Sequence, residues 1–169
     1  MPNYRQLLPT IQSDYYTCWA ASTAWWTKAM SDRGRKALSE GDVSDKFYLG
    51  WDKNGAMTLK GFTDIFRSPL FNVNARFGTQ MDLDKLIQKL VADPLKRIDA
   101  FPIICGYNDP KAGGNHVAVL CDLYDEMAEQ KKFVVMDPAM GYVVRSRNYL
   151  ASQTMVFAWA QEAGDIIYG

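Results

Sequence analysis

Three residues that lie far apart in the sequence could together attack an acyl group. Cys18 stands where a helix is predicted to begin, and the positive end of a helix dipole favours the thiolate form of a cysteine. His116 is the only histidine in the chain, and an unperturbed pKa of about 6.5 suits an imidazole to act as a general base at neutral pH. Asp137 could accept the second imidazole N–H and fix the orientation of the ring. These residue types predict covalent catalysis by a thiol.

The loop before Cys18 offers a group that could stabilise the negative charge developing in such a reaction. Gln12 precedes Cys18 by six residues, and its side-chain amide could donate a hydrogen bond to the oxyanion alongside the backbone N–H of Cys18. Removal of one such donor typically slows catalysis by about 100- to 1000-fold. We therefore expect Gln12 to be the oxyanion donor.

Taken singly, each of these residues has a simpler structural interpretation. A free cysteine is among the most often buried residues, and a lone histidine usually fills a core or a surface position. Asp137 precedes Pro138, and an Asp-Pro pair is a common turn signal. Register favours the functional interpretation: if Val117 pairs with about Met136 in an antiparallel hairpin, His116 lies beside Asp137.

The composition is that of one ordinary domain and excludes several classes of partner. The chain has 169 residues and is 48% hydrophobic, which is enough for a core. Its 19 basic and 19 acidic residues cancel, so no net charge steers it to nucleic acid or to an anionic membrane. No apolar run is long enough to cross a bilayer, and the N-terminal sequence lacks the features of a signal peptide. We expect a monomer.

The three cysteines predict neither a disulfide framework nor a metal site. Their number is odd, and no C-x-x-C pair occurs. Cys105 and Cys121 lie in apolar runs, so we expect both to be buried and free, although pairing across neighbouring strands is an alternative. A zinc site built from Cys18, Cys105, Cys121 and His116 is disfavoured because the ligand spacing does not fit.

The pattern of apolar residues predicts a helical first half and a strand-rich second half, which is an α+β arrangement. Helix formers and large apolar side chains cover most of the stretch from Cys18 to about Asp32, so we expect a largely buried helix there. Further helices are predicted at 44–51 with Asp42 or Ser44 as the cap, at 59–66 with Thr58 as the cap, and at 82–91. Strands are predicted at 101–107, 117–124, 132–136, 141–145 and 154–159, with a charged hairpin loop at 125–131.

The residues, in their order, resemble the papain-like cysteine peptidases. The resemblance is carried by Gln12, Cys18-Trp19-Ala20-Ala21-Ser22, Gly114-Asn115-His116-Val117-Ala118-Val119 and Asp137-Pro138. The chain looks most like compact bacterial members: staphopain-like enzymes, effector proteases and the peptidase modules of secretion systems. It departs from papain in having Thr17 before the cysteine, Asp137 in place of asparagine, and no tryptophan soon after it.

The resemblance implies a fold and a role for each residue. The central helix would start at the nucleophile, and the second half would form an antiparallel half-barrel. Cys18 would be the nucleophile, His116 the base and then the acid, Asp137 the residue that orients the imidazole, and Gln12 the oxyanion donor. No metal or organic cofactor is implied.

The resemblance also implies where substrate binds. In a single domain of 1–169, the cleft would lie between a helical half of about 1–95 and a strand-rich half of about 96–169. Its wall would include Gly113, Gly114, Asn115 and Trp19. Trp51 and Trp159 are further candidates for this wall, although large aromatic residues more often pack in cores.

The function expected from the resemblance is that of an endopeptidase acting as an effector or toxin. A small peptidase without a recognisable signal peptide or pro-segment would be held in the producer's cytoplasm and delivered by a dedicated secretion system into a target cell. Its substrate would be a protein, and some members of this class cut subunits of type II DNA topoisomerases, although no residue here selects that target. A cognate immunity protein would plug the cleft.

Two other functions remain open from the sequence. A peptidoglycan amidase, or another Cys-His acyl-transfer enzyme, shares the same thiol chemistry. A papain-like module that binds a peptide without cutting it is the other alternative. The presence of Cys18 together with Gln12, His116 and Asp137 favours activity over simple binding.

Overall fold

The computed structural model describes residues 4–54, 56–93, 95, 99–109, 111, 114–125 and 131–166. Its helices are α1 (Cys18–Ala29), α2 (Glu40–Lys46), α3 (Leu59–Arg67), α4 (Gln80–Ala92) and α5 (Arg147–Leu150). Its strands are β1 (Val73–Gly78), β2 (Ile103–Asp109), β3 (Gly114–Asp125), β4 (Lys132–Asp137), β5 (Gly141–Ser146) and β6 (Met155–Ala160). The predicted α+β fold class is confirmed.

Helix α1 lies inside the protein because nearly all of its circumference is apolar or small. Every residue of α1 except Lys28 is buried, as a helix without a polar face requires. The helix ends at Ala29 and a short 3-10 helix follows, so the predicted end near Asp32 is three residues late. Gly34 closes the segment in the left-handed conformation with φ of 83°, which glycine adopts at low cost.

A six-stranded antiparallel sheet supports α1, with strand order β1-β6-β2-β3-β4-β5. The edge strand β1 was not predicted, and its pairing with β6 makes the first half of the chain contribute to the sheet. Its sequence alternates polar and apolar residues, and no side chain in it is fully buried. Strand β1 thus carries a weak apolar signal, because an edge strand needs little burial.

Hydrophobic clusters cover both faces of the sheet. One cluster joins α1 to side chains that include Val117, Val119 and Met136. The other joins α4 to side chains that include Ala118, Leu120 and Val135. Because successive residues of a strand point to opposite faces, the alternation in β3 assigns α1 and α4 to opposite sides of the sheet.

The helices predicted at 59–66 and 82–91 are confirmed, and the one predicted at 44–51 is misplaced. Helix α2 begins at Glu40, where Ser39 and Asp42 form a reciprocal capping box, and only a 3-10 turn occupies Tyr48–Gly50. Ser39 is therefore the cap, in place of Asp42 or Ser44. The capping box fixes the earlier start because it satisfies backbone N–H groups that the first turn leaves unpaired.

The hairpin between β4 and β5 places an acidic side chain at the end of a buried strand. The backbone N–H of Met140 donates to the carbonyl of Asp137 at 3.1 Å, and Gly141 follows with φ of 81°. A β-turn followed by a left-handed glycine is a common way to close a hairpin. Asp137 is the last residue of β4 and pairs with Gly141.

Two predictions fall on parts of the chain outside the described residues: Gly113, and most of the hairpin loop at 125–131. In the ranges that the structure describes, no helix combines the length and apolar character that crossing a bilayer requires.

Candidate active site

A cleft of about 600 Å³ lies at the N-terminal end of α1, and it brings the predicted chemical groups together. Among the residues that line it are Cys18, His116, Asp137, Gln12, Trp19, Gly114 and Asn115. Tyr15, Tyr16, Met57, Phe62, Met140 and Tyr149 give the cleft an apolar and aromatic wall. Apart from the further candidates Trp51 and Trp159, the described residues predicted for the site thus share one cavity.

Cys18 is the first residue of α1 and is 8% exposed. Thr17, the residue before the helix, makes no side-chain capping hydrogen bond. Because Cys18 is the first residue of α1, the positive end of the helix dipole is close to the sulfur and favours negative charge there. One turn later, the hydroxyl of Ser22 donates to the carbonyl of Val117 at 2.9 Å, which fastens α1 to β3.

The imidazole of His116 contacts the carboxylate of Asp137, with 3.1 Å between Nε2 and Oδ1. Both residues are buried, with His116 7% and Asp137 2% exposed. Because Nε2 faces the carboxylate, Nδ1 is the nitrogen left for Cys18, which lines the same cleft and helps to raise the pKa of the ring. The three side chains form a thiol–imidazole–carboxylate row.

The register that produces this contact differs from the predicted one. Met136 pairs with Val119 instead of Val117, and β3 begins at Gly114, so His116 lies inside the strand and pairs with Tyr107 of β2. The two-residue shift leaves His116 and Asp137 diagonally related across the sheet, and their side chains close the remaining gap.

The surroundings of His116 favour its charged form. Burial lowers the pKa of the imidazole, but hydrogen bonds to Asp137 and Cys18 and the charges of both groups outweigh burial and raise the pKa to about 9. Burial acts to raise the pKa of Asp137, but the hydrogen bond and charge of His116, with help from Ala139 and Arg145, hold it below its usual value. The geometry thus favours an imidazolium beside an ionised carboxylate.

The carboxylate of Asp137 has a further side-chain partner, Arg145, which the sequence did not predict. Its Oδ1 also accepts the backbone N–H of Ala139 at 2.9 Å, and its Oδ2 accepts Nη2 of Arg145 at 3.3 Å. Arg145 lies on β5, across the hairpin from Asp137. Hairpin pairing brings Arg145 near, but nothing in its sequence position indicates that the guanidinium turns back toward the carboxylate.

Aromatic side chains and a guanidinium lie around the His116–Asp137 pair. The ring of Tyr107 packs edge-on against His116, with 5.8 Å between centroids. The guanidinium of Arg145 lies 4.4 Å from the centre of the Tyr149 ring, and the Tyr149 hydroxyl donates to both carboxylate oxygens of Asp109 at 2.9 Å. These groups screen the His116–Asp137 contact from solvent.

Gln12 lines the cleft, but its amide is engaged elsewhere. Its Nε2 donates to the carbonyls of Asp14 at 2.8 Å and Tyr15 at 3.2 Å, while its Oε1 is buried without a partner among the described residues. Its backbone N–H donates to the carbonyl of Pro138 at 2.9 Å. In this structure Gln12 braces the loop before Cys18, and its role as oxyanion donor stays a prediction.

The tryptophans predicted near the cleft have three different environments. Trp19 is 1% exposed and lines the cleft. Trp51 is 36% exposed and packs edge-on against Trp19 with 6.1 Å between centroids, so it is not a core residue. Trp159 is buried in the cluster on the α4 side of the sheet, as core packing requires.

The remaining cysteines are free and buried. Cys105 and Cys121 are not joined, and both lie inside the hydrophobic clusters. Burial raises the pKa of the Cys105 thiol well above its usual value. Within the part of the chain that the structure describes, no three His, Cys, Asp or Glu side chains are arranged to hold a metal ion.

Several solved chains resemble this fold, and one of them does so over most of both chains. The peptidase domain of Streptococcus ComA, a bi-functional ABC transporter involved in a quorum-sensing pathway, is 15% identical with a TM-score of 0.57. The similarity covers 91% of this chain and 98% of that domain. No protein-family model and no curated protein sequence matches the chain. At this level of identity the likeness concerns the fold, and it shows that this protein has a papain-like peptidase fold.

Proposed function

We propose that this protein is a cysteine endopeptidase with Cys18 as nucleophile, His116 as proton carrier and Asp137 as the residue that orients the ring. The observation that carries the proposal is the 3.1 Å contact between Nε2 of His116 and Oδ1 of Asp137. This contact leaves Nδ1 for a thiol at the start of a buried helix. An imidazole oriented by a carboxylate, in the same cleft as a thiol, supports this assignment of roles.

The reaction follows from this row of groups. His116 takes the proton of the Cys18 thiol, and the sulfur attacks the scissile carbonyl carbon to form a tetrahedral oxyanion. The oxyanion collapses to a thioester as the imidazolium donates its proton to the departing amine. His116 then takes a proton from water, whose oxygen attacks the thioester; this second intermediate expels the sulfur and releases the acid, and the imidazolium returns its proton to the sulfur.

The N-terminus of α1 supplies part of the stabilisation of the oxyanion. The backbone N–H of Cys18 is one donor. The amide of Gln12 becomes the second donor if it leaves the carbonyls of Asp14 and Tyr15 when substrate binds. We include this rotation in the proposal because Gln12 already lines the cleft.

Labelling and cleavage together test the chemistry. We expect iodoacetamide to modify Cys18 selectively near neutral pH, and Cys121→Ser, which keeps a donor near the carbonyl of Val119, to react like the wild type. Mapping of new protein N-termini in a lysate should show cleavages with the wild type and Cys121→Ser that are absent with Cys18→Ala. Identical N-termini with all three proteins would contradict the proposal.

We further propose a role as an effector or toxin whose substrate is a protein of another cell. Support comes from the sequence resemblance to compact bacterial effector proteases, and a topoisomerase subunit is one target class within it. The ComA likeness favours a second candidate, a peptidase that works beside a transporter. Cleavage confined to proteins of a target-cell lysate would support the first role, and cleavage confined to peptides exported by the producer would support the second.

A cognate inhibitor is a consequence of the effector role. Cys18→Ala protein should form a stable complex with an immunity protein that covers the cleft, and absence of a complex would count against this role. Purified cell-wall fragments test the alternative chemistry: release of soluble muropeptides would identify an amidase in place of an endopeptidase.

A further inference from the structure

The carboxylate of Asp137 can orient His116 only if its own rotation is prevented. The terminal torsion of an aspartate side chain is broad and is poorly fixed by rotamer preference alone. Oδ1 accepts both His116 Nε2 and the N–H of Ala139, and Oδ2 accepts only Arg145 among the contacts described. Arg145 is therefore the group that fixes the second oxygen.

Arg145 is itself held in place before any substrate arrives. Its guanidinium stacks on the ring of Tyr149 at 4.4 Å, and its Nη2 contacts Sδ of Met140 at 3.1 Å. The Tyr149 ring is in turn anchored through its hydroxyl to Asp109. A planar cation stacked on an anchored ring presents its N–H groups in a fixed direction.

The hydrogen bonding of Arg145 is poorly explained by stability alone. The side chain is 13% exposed, yet Nε is buried without a hydrogen-bond partner among the described residues. An unsatisfied buried donor costs free energy. The side chain of Arg145 thus keeps its contact with Asp137 although this position leaves its Nε without a hydrogen-bond partner among the described residues.

We propose that Arg145 is a positioning residue of the triad, which holds Oδ2 of Asp137 so that Oδ1 stays aligned with the imidazole of His116. The tautomer of His116 follows from this alignment, because a carboxylate opposite Nε2 keeps the proton of the neutral ring on that nitrogen. The kinetic consequence rests on the proposed peptidase function, whereas the tautomer does not.

The single histidine makes the tautomer measurable. In a Cys18→Ala background, ¹⁵N chemical shifts of the ring at a pH where it is neutral should report mainly the Nε2–H form. Arg145→Met, which keeps the aliphatic stem, should shift a measurable fraction to the Nδ1–H form. Arg145→Lys, which keeps the charge without the planar stack, should lie between the two. Arg147→Met removes a surface ion pair with Asp84 and should leave the ring unchanged.

Kinetics supply a second, independent readout with Cys18 present. Arg145→Met should lower kcat by about 10- to 100-fold with KM within about twofold, Arg145→Lys should recover part of the loss, and Arg147→Met should retain kcat. Unchanged tautomer populations in Arg145→Met, or a raised KM with normal kcat, would overturn the proposal. If the wild type cuts no peptide, the proposed function fails while the tautomer measurement still decides the role of Arg145.

A further variant covers the case in which Arg145→Met does not fold. Tyr149→Leu removes the ring beneath the guanidinium and leaves Arg145 in the chain. It should shift the tautomer in the same direction as Arg145→Met and by a smaller fraction. A wild-type tautomer population in both Tyr149→Leu and Arg145→Lys would overturn the proposal.

Discussion

The hydroxyl of Ser22 donates a hydrogen bond of 2.9 Å to the carbonyl oxygen of Val117. Ser22 lies one helical turn beyond Cys18, and Val117 follows His116 directly. This bond joins the helix that carries the thiol to the strand that carries the imidazole. It therefore helps to fix the distance between two groups that are 98 positions apart in the sequence.

Ser22→Ala should lower both stability and activity. The substitution removes a buried hydrogen bond, which typically contributes about 0.5–1.5 kcal/mol to the free energy of unfolding. A shift of α1 along β3 should also lower kcat, since small misplacements of reacting groups slow catalysis strongly. Denaturant unfolding and steady-state kinetics measure the two effects. Ser31→Ala removes a hydrogen bond to Lys28 at an exposed site and should change neither quantity much, and equal behaviour of the two variants would contradict the role of Ser22.

Activity should fall as the pH rises through about 9, the raised pKa of His116. Above that pH the ring loses the proton that the leaving amine needs. The same shift adds to stability, and this contribution is complete below about pH 6.5, the unfolded value, and is lost as the pH rises through 9. Asp137, with its lowered pKa, contributes stability above the ordinary carboxyl range that is lost as the pH falls below it.

Asp137→Asn tests the cause of that shift. Removal of the carboxylate leaves burial, which lowers the pKa of His116, with less opposition, so the alkaline limb of kcat/KM should move to lower pH. Titration of the single histidine by NMR should show the same displacement. Asp84→Asn, which breaks the surface pair with Arg147, is the control, and a histidine titration unmoved by Asp137→Asn would refute the assignment.

Gln12→Ala separates bracing from catalysis. If the amide leaves the carbonyls of Asp14 and Tyr15 to bind the oxyanion, kcat should fall by about 100-fold or more. Loss of the brace alone would lower the melting temperature and leave kcat nearly unchanged. The ratio of the two effects, from calorimetry and kinetics on one preparation, decides between the roles.

Two glycines with the same left-handed conformation, one inside the hairpin that carries Asp137 and one outside it, allow a controlled test of that hairpin. Gly141 and Gly34 have φ of 81° and 83°, and a Cβ would make only ordinary contacts at the first and none at the second. Alanine should cost about 1–2 kcal/mol at either position, from backbone strain alone. Gly141→Ala should also lower kcat, because its strain falls on the turn after Asp137, whereas Gly34→Ala should not. Equal kcat values for the two variants would contradict this view of the hairpin.

The sequence predicted the side chains that meet in the cleft better than it predicted how they meet. Cys18, His116 and Asp137 are distinguished by their chemistry, because few residue types can serve as nucleophile, base and orienting acid. The register between the strands that carry His116 and Asp137 differs by two residues from the predicted one. Bulges in the β3–β4 ladder, such as the one between Leu120 and Asp122, leave no mark in the sequence.

Arg145 and β1 were missed for related reasons. Each depends on long-range pairing: β1 on a strand near the other end of the chain, and Arg145 on a side chain that folds back over a hairpin. Local periodicity contains neither piece of information. Helix α3 was predicted with Thr58 as its cap and α4 from its apolar stripe, and both signals are local properties.

The backbone hydrogen bond from Gln12 to Pro138 joins the segment before Cys18 with the segment after Asp137. A ligand that wedges these two segments apart would displace the amide of Gln12 and the carboxylate of Asp137 in one movement. Such a compound would disrupt the cleft without reacting with the thiol of Cys18. Its effect would therefore not depend on the redox conditions of the cell.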